Sequence, residues 1–310
     1  MWSRQAWWSA PLPASSSDGQ DARAEASPAP AHAPPDWAEA AERIGREGIR
    51  KVLVIGAADV GKSTLCRFLV SRAAECGRSA ALLDTDVGQK TVGPPACVTR
   101  GDMQGVTLFF VGATNPVRGW RRLIEGTRHL ARGLDAELVV ANTSGLLAGP
   151  GRRLKAAKIE AFRPNLLIAL GDNPELASIL NGHPEVPALR LSQSPEAKRK
   201  TDGEKRAARR EAFRRYFAGA SVQSLNSRQF QLEGWEAPLP SGLLLGLADA
   251  HDGPYGLGIL VGCSGATVEI LTPVATSGVR RITPGSLCLN DAFAEKSVNL
   301  PHEAQERERA

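Results

Sequence analysis

Apolar and polar positions fall into two textures along this chain. From Asp36 the stretch WAEAAERI places its apolar residues at helical spacing and leads into a short apolar run at Lys51–Ile55. Similar runs recur at Ser79–Asp84, Val106–Val111, Glu137–Asn142 and Asn165–Leu170, and read as strands. Helical stretches at Ser63–Glu75, Gly119–Ala131 and Arg152–Phe162 lie between most of them. This alternation predicts an α/β fold, a mainly parallel sheet with helices on both faces. Ligands in such folds sit at the carboxyl ends of the strands. After about Ala220 the texture changes to short runs, GLLLGLAD, GLGILVG, TVEILTPV and VRRITPGSLCLN, broken by Gly, Pro and Asp turns. That pattern predicts a small β-rich module. The expected division is a disordered tail at 1–35, an α/β domain at 36–220, the β-rich module at 221–295 and a polar tail at 296–310.

Composition changes this picture in only a few places. The tail is rich in Ala, Pro and Ser and cannot bury enough surface to order itself; Trp2, Trp7 and Trp8 are its possible anchors. Hydrophobic residues make up 42% of 310, enough for one sizeable core and a smaller one. The formal charge is +5, yet Lys198–Arg215 alone holds nine Lys/Arg against three Asp/Glu, a balance of +6 that leaves −1 for the rest. The basic character therefore belongs to one segment, which points to an anionic ligand, phosphate or nucleic acid, or else to a solvated face. The five cysteines show no CxxC spacing, which argues against zinc or a disulfide framework and fits a reducing compartment. No apolar run reaches bilayer length and the N-terminus lacks a secretory pattern, so a cytoplasmic protein without membrane contact is expected.

The strongest chemical signal follows the first strand. Gly56, Ala57, Ala58, Asp59, Val60, Gly61, Lys62 and Ser63 fit GxxxxGK[ST] without deviation, between the strand KVLVI and the helix STLCRFLVSRAAE. Glycines let backbone N–H groups cradle phosphate oxygens, and a helix N-terminus adds partial positive charge. Lys62 is placed to bridge the β- and γ-phosphates of ATP, Ser63 to bind Mg²⁺, and Thr64 to reach the α-phosphate. A P-loop alone does not name the phosphoryl acceptor.

The second strand runs into Asp84-Thr-Asp86-Val-Gly-Gln89, which puts carboxylates at the sheet's carboxyl edge beside the nucleotide. A hydroxyl acceptor needs a proton acceptor and Mg²⁺ needs oxygen ligands; Asp86 suits either task, with Asp84 as its support or competitor. Gln89 would fix the acceptor or a metal-bound water. The plain alternative is a strand-ending Asp/Gly turn. Further on, EKRAARREAFRRYFA at Glu204–Ala218 reads as a helix. Arg206, Arg210 and Arg214 share one face, with Ala208, Ala212 and Tyr216 roughly opposite and free to pack. In a kinase such a helix is a lid whose arginines stabilise the phosphoryl group in transfer.

The runs GAADVGKSTLCRFL and LLDTDVGQKTVGPP together resemble the polynucleotide 5′-hydroxyl kinase family. The resemblance implies that Asp86 is the general base beside Mg²⁺ and that Gln89 binds substrate. Val111-Gly-Ala-Thr-Asn-Pro116 is similar to the family's Gly-x-Thr-x-Pro segment. Asn142-Thr143-Ser144-Gly145 is similar to its substrate-gripping Thr-x-Gly clasp, which gives Thr143 and Gly145 a substrate role. The family often carries Trp after that Gly, where this chain has Leu146; Trp120 is either a substitute or a helix-packing residue. The family's lid ends in a Tyr-Phe pair matched by Tyr216-Phe217, and alignment on it selects Arg206, Arg209 and Arg214. The module after 220 is expected to guide substrate or pack on the kinase domain, and the family's separate N-terminal β-domain is not expected here. The implied function is ATP- and Mg²⁺-dependent phosphorylation of the 5′-hydroxyl end of RNA and/or DNA. Two alternatives stand beside it: an ATP-binding scaffold of an RNA-processing assembly with little turnover, and a P-loop kinase of a small hydroxylated metabolite or a nucleotide hydrolase.

Overall fold

The computed structural model describes residues 33–132, 135–232, 239–250 and 256–299. The expected N-terminal tail up to residue 32, with its three tryptophans, and the C-terminal residues from 300 lie outside the described residues. In chain order the elements are α1 (Pro35–Arg46), β1 (Lys51–Gly56), α2 (Lys62–Glu75), β2 (Ala80–Asp84), β3 (Cys97–Asp102), β4 (Gly105–Phe110), α3 (Trp120–Leu130) and β5 (Leu138–Asn142). There follow α4 (Pro150–Phe162), β6 (Leu166–Leu170), α5 (Pro174–Asn181), β7 (Ala188–Leu191) and α6 (Asp202–Tyr216). The remainder is strand: β8 (Ser221–Asn226), β9 (Gln231–Leu232), β10 (Leu243–Ala248), β11 (Gly256–Ser264), β12 (Thr267–Thr272), β13 (Arg281–Leu289) and β14 (Glu295–Ser297). None of the described helices is long and apolar enough to cross a membrane.

The first sheet has the order β4-β3-β2-β5-β1-β6-β7. From β2 through β7 every pair is parallel; β3 and β4 add an antiparallel edge. Successive side chains of a strand point to opposite faces, and β1 obeys this. Leu53 and Ile55 join Leu123, Leu154, Phe162 and Leu176 under α3, α4 and α5. Val52 and Val54 join Trp37, Ile44, Leu65 and Leu69 under α1 and α2. Both faces are thus covered by helices, as the apolar runs predict. Missing from those runs are β3, α5 and β7. The strand β3 (CVTRGD), between β4 and β2, mixes polar residues with apolar ones, and β7 is largely open to solvent, so neither carries a continuous apolar signal.

The second sheet runs β14-β13-β10-β11-β12-β8, with β9 paired to β13. It packs on the first through one apolar cluster that mixes Ala96, Cys97, Leu108 and Phe110 with Leu244, Leu257, Ile259, Leu287 and Leu289. The approach is close. A Cβ on Gly246 would lie 2.3 Å from the Phe110 ring, and Ser286 donates its N–H to the Gly112 carbonyl at 2.8 Å. Of the two expectations for the module, packing on the first domain describes this contact. The polar tail drawn from 296 begins inside β14, a strand too short and polar to stand out in the sequence.

The helix α6 belongs to the same cluster. Phe213, Tyr216 and Phe217 are buried in it, Phe217 stacks on Phe293 at 5.8 Å, and the buried Tyr216 hydroxyl accepts the Leu257 N–H at 2.7 Å. Ala208 is exposed, so the packed stripe is Phe213 and Tyr216 rather than Ala208, Ala212 and Tyr216. Two alanines offer too little area to compete with two aromatics. Tyr216→Phe strands the Leu257 N–H in the core. This should cost about 1–3 kcal/mol and lower Tm by roughly 2–10 °C; an unchanged Tm by calorimetry would show that the helix seat does not need this bond.

Candidate active site

The phosphate loop forms because β1 must turn sharply into α2. Gly61 takes φ +97° as the helix cap, and Asp59 is also left-handed at φ +62°. A non-glycine residue at positive φ carries strain, and here Asp59 is held from outside the loop. Its Oδ2 accepts the Lys200 N–H at 3.2 Å and meets Lys205 Nζ at 3.2 Å. Lys62, the first residue of α2, is buried and donates to the Ala57 carbonyl of its own loop. Burial pushes its ammonium pKa down, while Asp86 pulls it back up. Asp86 therefore lies within electrostatic reach of the phosphate lysine.

Behind the loop, the carboxyl ends of β2 and β5 meet in register, Asp84 opposite Asn142. Both are buried, and one amide ties the edge together. Asn142 Nδ2 donates to Asp84 Oδ1 at 3.2 Å, to Ser63 Oγ at 3.2 Å and to Thr91 Oγ1 at 3.3 Å. Asp84 also accepts the N–H groups of Asp86 and Thr91, and Lys90 Nζ lies 3.6 Å from its Oδ2. Burial pushes the Asp84 carboxyl upward; Lys90 opposes that and Asp86 reinforces it. Of the two carboxylates, Asp84 is consumed by the fold. Asp86 is half-buried, and its Oδ1 caps the N–H groups of Gly88 and Gln89 at 2.9 and 3.0 Å. The Asp/Gly turn and the placement of a carboxylate beside the P-loop are thus one structure.

The helix α6 closes the third side. A cleft of about 870 Å³ opens between Ser63 and Arg67 of α2, the loop 88–95, and Ala208, Arg209, Ala212 and Arg215 of α6. Besides Arg209 and Arg215, its wall carries Lys200 and Arg214, against the acid Glu211. The three arginines selected from sequence separate here. Arg206 is exposed and off the cleft wall. Arg214 is on the wall but paired with Glu211 at 2.7 Å. Arg209 is on the wall and held by Glu295 of β14, Nε to Oε1 at 2.7 Å. Gln89 reaches across to the Lys205 carbonyl at 3.4 Å, which ties the loop 88–95 to α6.

The clasp segment differs from its expected role. The Thr143 hydroxyl is fully buried and donates to the Val54 carbonyl at 2.8 Å, so its side chain builds the loop instead of gripping substrate. Gly145 is a contact point: a Cβ there would sit 2.4 Å from the Ala58 backbone. Trp120 packs, partly buried, on the core beneath α3, so it is the helix-packing residue and not a substitute for the absent clasp tryptophan.

Residues 56–219, from the P-loop to the end of the lid, match the family model described as mRNA cleavage and polyadenylation factor CLP1 P-loop. The chain belongs to that family. The CLP1 P-loop relatives include a polyribonucleotide 5′-hydroxyl-kinase of Pyrococcus abyssi, 34% identical over 62% of this chain and 58% of its own length. A polyribonucleotide 5′-hydroxyl-kinase Clp1 of Xenopus tropicalis is 30% identical over 58% of this chain and 46% of its own. The chain thus spans about half the length of the curated relatives it matches. A solved structure of wild-type Clp1p in complex with Pcf11p superimposes with a TM-score of 0.67 at 13% identity, over 82% of this chain and 79% of that one. That likeness bears on the fold, a P-loop sheet followed by an antiparallel module.

Within this CLP1 P-loop site, three residues escape the sequence motifs. Asn142 looks like the end of a strand, and only the register reveals its bonds. Lys155 and Lys158 on α4 are fully buried lysines whose amines reach the main-chain carbonyls of Ser144, Leu146 and Thr85. Burial pushes Lys155 well down and Lys158 down to about 8, while Asp86 pulls both up. In sequence they read as ordinary surface lysines of an amphipathic helix. The contact at Gly145 gives a direct test of the site's construction. Gly145→Ala must displace Ala58, an overpacking cost of about 1–3 kcal/mol. Fluorescence titration with labelled ATP should show affinity weaker by roughly 5- to 100-fold; unchanged affinity would mean the clasp loop yields instead of the P-loop.

Proposed function

We propose that this protein transfers the γ-phosphate of ATP to the 5′-hydroxyl end of a nucleic acid strand. The observation that carries this reading is Asp86: it is half-buried, within electrostatic reach of Lys62, and bound through Oδ1 to the Gly88 and Gln89 N–H groups of the loop that lines a basic cleft. The names of the relatives support it: they are polyribonucleotide 5′-hydroxyl kinases, which favours RNA as acceptor.

In this reading Gly56–Thr64 cradles the triphosphate with backbone N–H groups, and Lys62 leaves the Ala57 carbonyl for the β- and γ-phosphates. The acceptor strand lies in the cleft with its phosphates on Arg67, Lys200 and Arg215. Asp86 accepts the proton of the 5′-hydroxyl as the hydroxyl oxygen bonds to the γ-phosphorus and the bond from that phosphorus to the bridging oxygen breaks, releasing ADP. Of the lid arginines, Arg209 and Arg214 line the cleft and are placed to balance charge on the phosphoryl group, whereas Arg206 serves from the solvent side.

Oxygen donors fit Mg²⁺ here. Ser63 Oγ and Asp84 Oδ1 converge on one amide, and the buried Asn142 Oδ1 has no protein partner. Mg²⁺ is commonly held through one or two carboxylates plus phosphate oxygens, which suits Ser63 and Asp86. When bound it neutralises charge on the β- and γ-phosphate oxygens.

The decisive assay is transfer of labelled γ-phosphate to matched 5′-hydroxyl RNA and DNA oligonucleotides. Wild type should label RNA in preference. Asp86→Asn should lower kcat by about 10²–10⁴-fold, and Lys62→Ala should abolish detectable labelling. ATP bound without transfer to either polymer would instead favour a scaffold, the reading that the Leu146 departure invites.

A further inference from the structure

The mechanism above leaves Lys155 and Lys158 without a task. Both are at 0% exposure and stand three residues apart on α4, so they project from the same face. Burying an ammonium group is costly. An apolar side chain of similar volume would fill the same space without that cost, so packing does not account for two lysines.

Their bonds do. Lys155 Nζ donates to the carbonyls of Ser144 at 2.7 Å and Leu146 at 2.9 Å, which bracket Gly145 where it rests on the P-loop. Lys158 Nζ donates to the carbonyl of Thr85 at 2.8 Å, the residue before Asp86. One helix face therefore holds the two loops that flank the phosphate loop, and it holds them by backbone carbonyls, which fixes main-chain position whatever the side chains do. An ammonium has three N–H groups, so Lys155 spans two carbonyls of one loop as a staple.

We propose that Lys155 and Lys158 are positioning residues of the transfer site: Lys155 sets the Ser144–Leu146 loop, whose Gly145 rests against Ala58 of the P-loop, and Lys158 sets the main chain that aims the Asp86 carboxylate. Their catalytic consequence rests on the kinase reading; their effect on the two loops does not.

The test uses the full chain with Lys155→Met and Lys158→Met. By hydrogen exchange, Lys158→Met should speed exchange of the Gly88 and Gln89 amides, and Lys155→Met that of residues 145–147, each about tenfold, with β6 unchanged. In single-turnover transfer, Lys158→Met should lower the rate at saturation by about 10- to 100-fold. In an Asp86→Asn background the same change should cost less than about threefold, because it acts through that carboxylate. Lys155→Met should raise KM for ATP about tenfold with kcat largely kept. Exchange that rises evenly over the whole sheet, or equal losses in both Asp86 backgrounds, overturns the proposal. Should a Met variant fail to fold, the matching Lys→Gln variant carries the same measurements. If wild type labels no oligonucleotide, the kinase reading falls, and the exchange pattern alone decides the positioning role.

Discussion

At the carboxyl edge of the first sheet, Asp84 and Asn142 are buried away from solvent, so their polar atoms depend on protein partners, and all but the Asn142 Oδ1 find them. Parallel register places them opposite each other, and from that pairing the Asn142 amide reaches Ser63 and Thr91 as well. The P-loop serine, the supporting carboxylate and the acceptor loop are thereby fixed to one another by a single side chain. Buried polar networks of this kind are stable only when nearly complete. That explains why so many neighbours are committed: Lys90 against Asp84, Thr143 against Val54, Lys158 against Thr85. Asp86 alone among the edge carboxylates retains partial exposure, and it does so because Asp84 absorbs the structural duty.

The helix α6 is held unequally at its two ends. Its N-terminal end rests on the P-loop through Asp59 and Lys205, an ion pair with 14% and 24% of each side chain exposed. Pairs in contact with water contribute at most about 1 kcal/mol. Its C-terminal end buries Phe213, Tyr216 and Phe217 in the core shared with the second sheet, where each fully buried aromatic is worth several times more, roughly 2–3 kcal/mol. The second sheet is accordingly the mount of the lid. Through Glu295 it also sets the direction of Arg209, the most enclosed of the three arginines chosen from sequence.

This asymmetry explains what was legible in the sequence and what was not. The P-loop, the DVGQ turn and the alternation of strands are local, since each is encoded by residues within a few positions of one another, and all stand where the pattern puts them. The lid helix was also legible, with its capping box of Thr201 and Glu204. Its orientation was not, because that depends on a core completed by residues 244–293, far along the chain. Spacing grouped Arg206 with Arg214, whereas burial of Phe213 and Tyr216 turns Arg209 inward. Thr143 shows the same limit. A Thr-x-Gly sequence cannot say whether its hydroxyl faces substrate or the carbonyl of a strand ninety residues earlier.

The phosphate loop and the clasp loop meet as backbone against backbone, at Ala58 and Gly145, with no room for a single added carbon. Contact between two main chains transmits displacement without a side chain to absorb it. A shift of the P-loop on filling must therefore move the loop after β5, and a shift of that loop must move the P-loop. The staple from Lys155 limits how far either can go, because the carbonyls on both sides of Gly145 are held from below. The departure at Leu146 falls on the clamp itself: its carbonyl is held by Lys155, while its side chain is half-buried. A change of side chain there leaves the backbone bonds that position the loop intact.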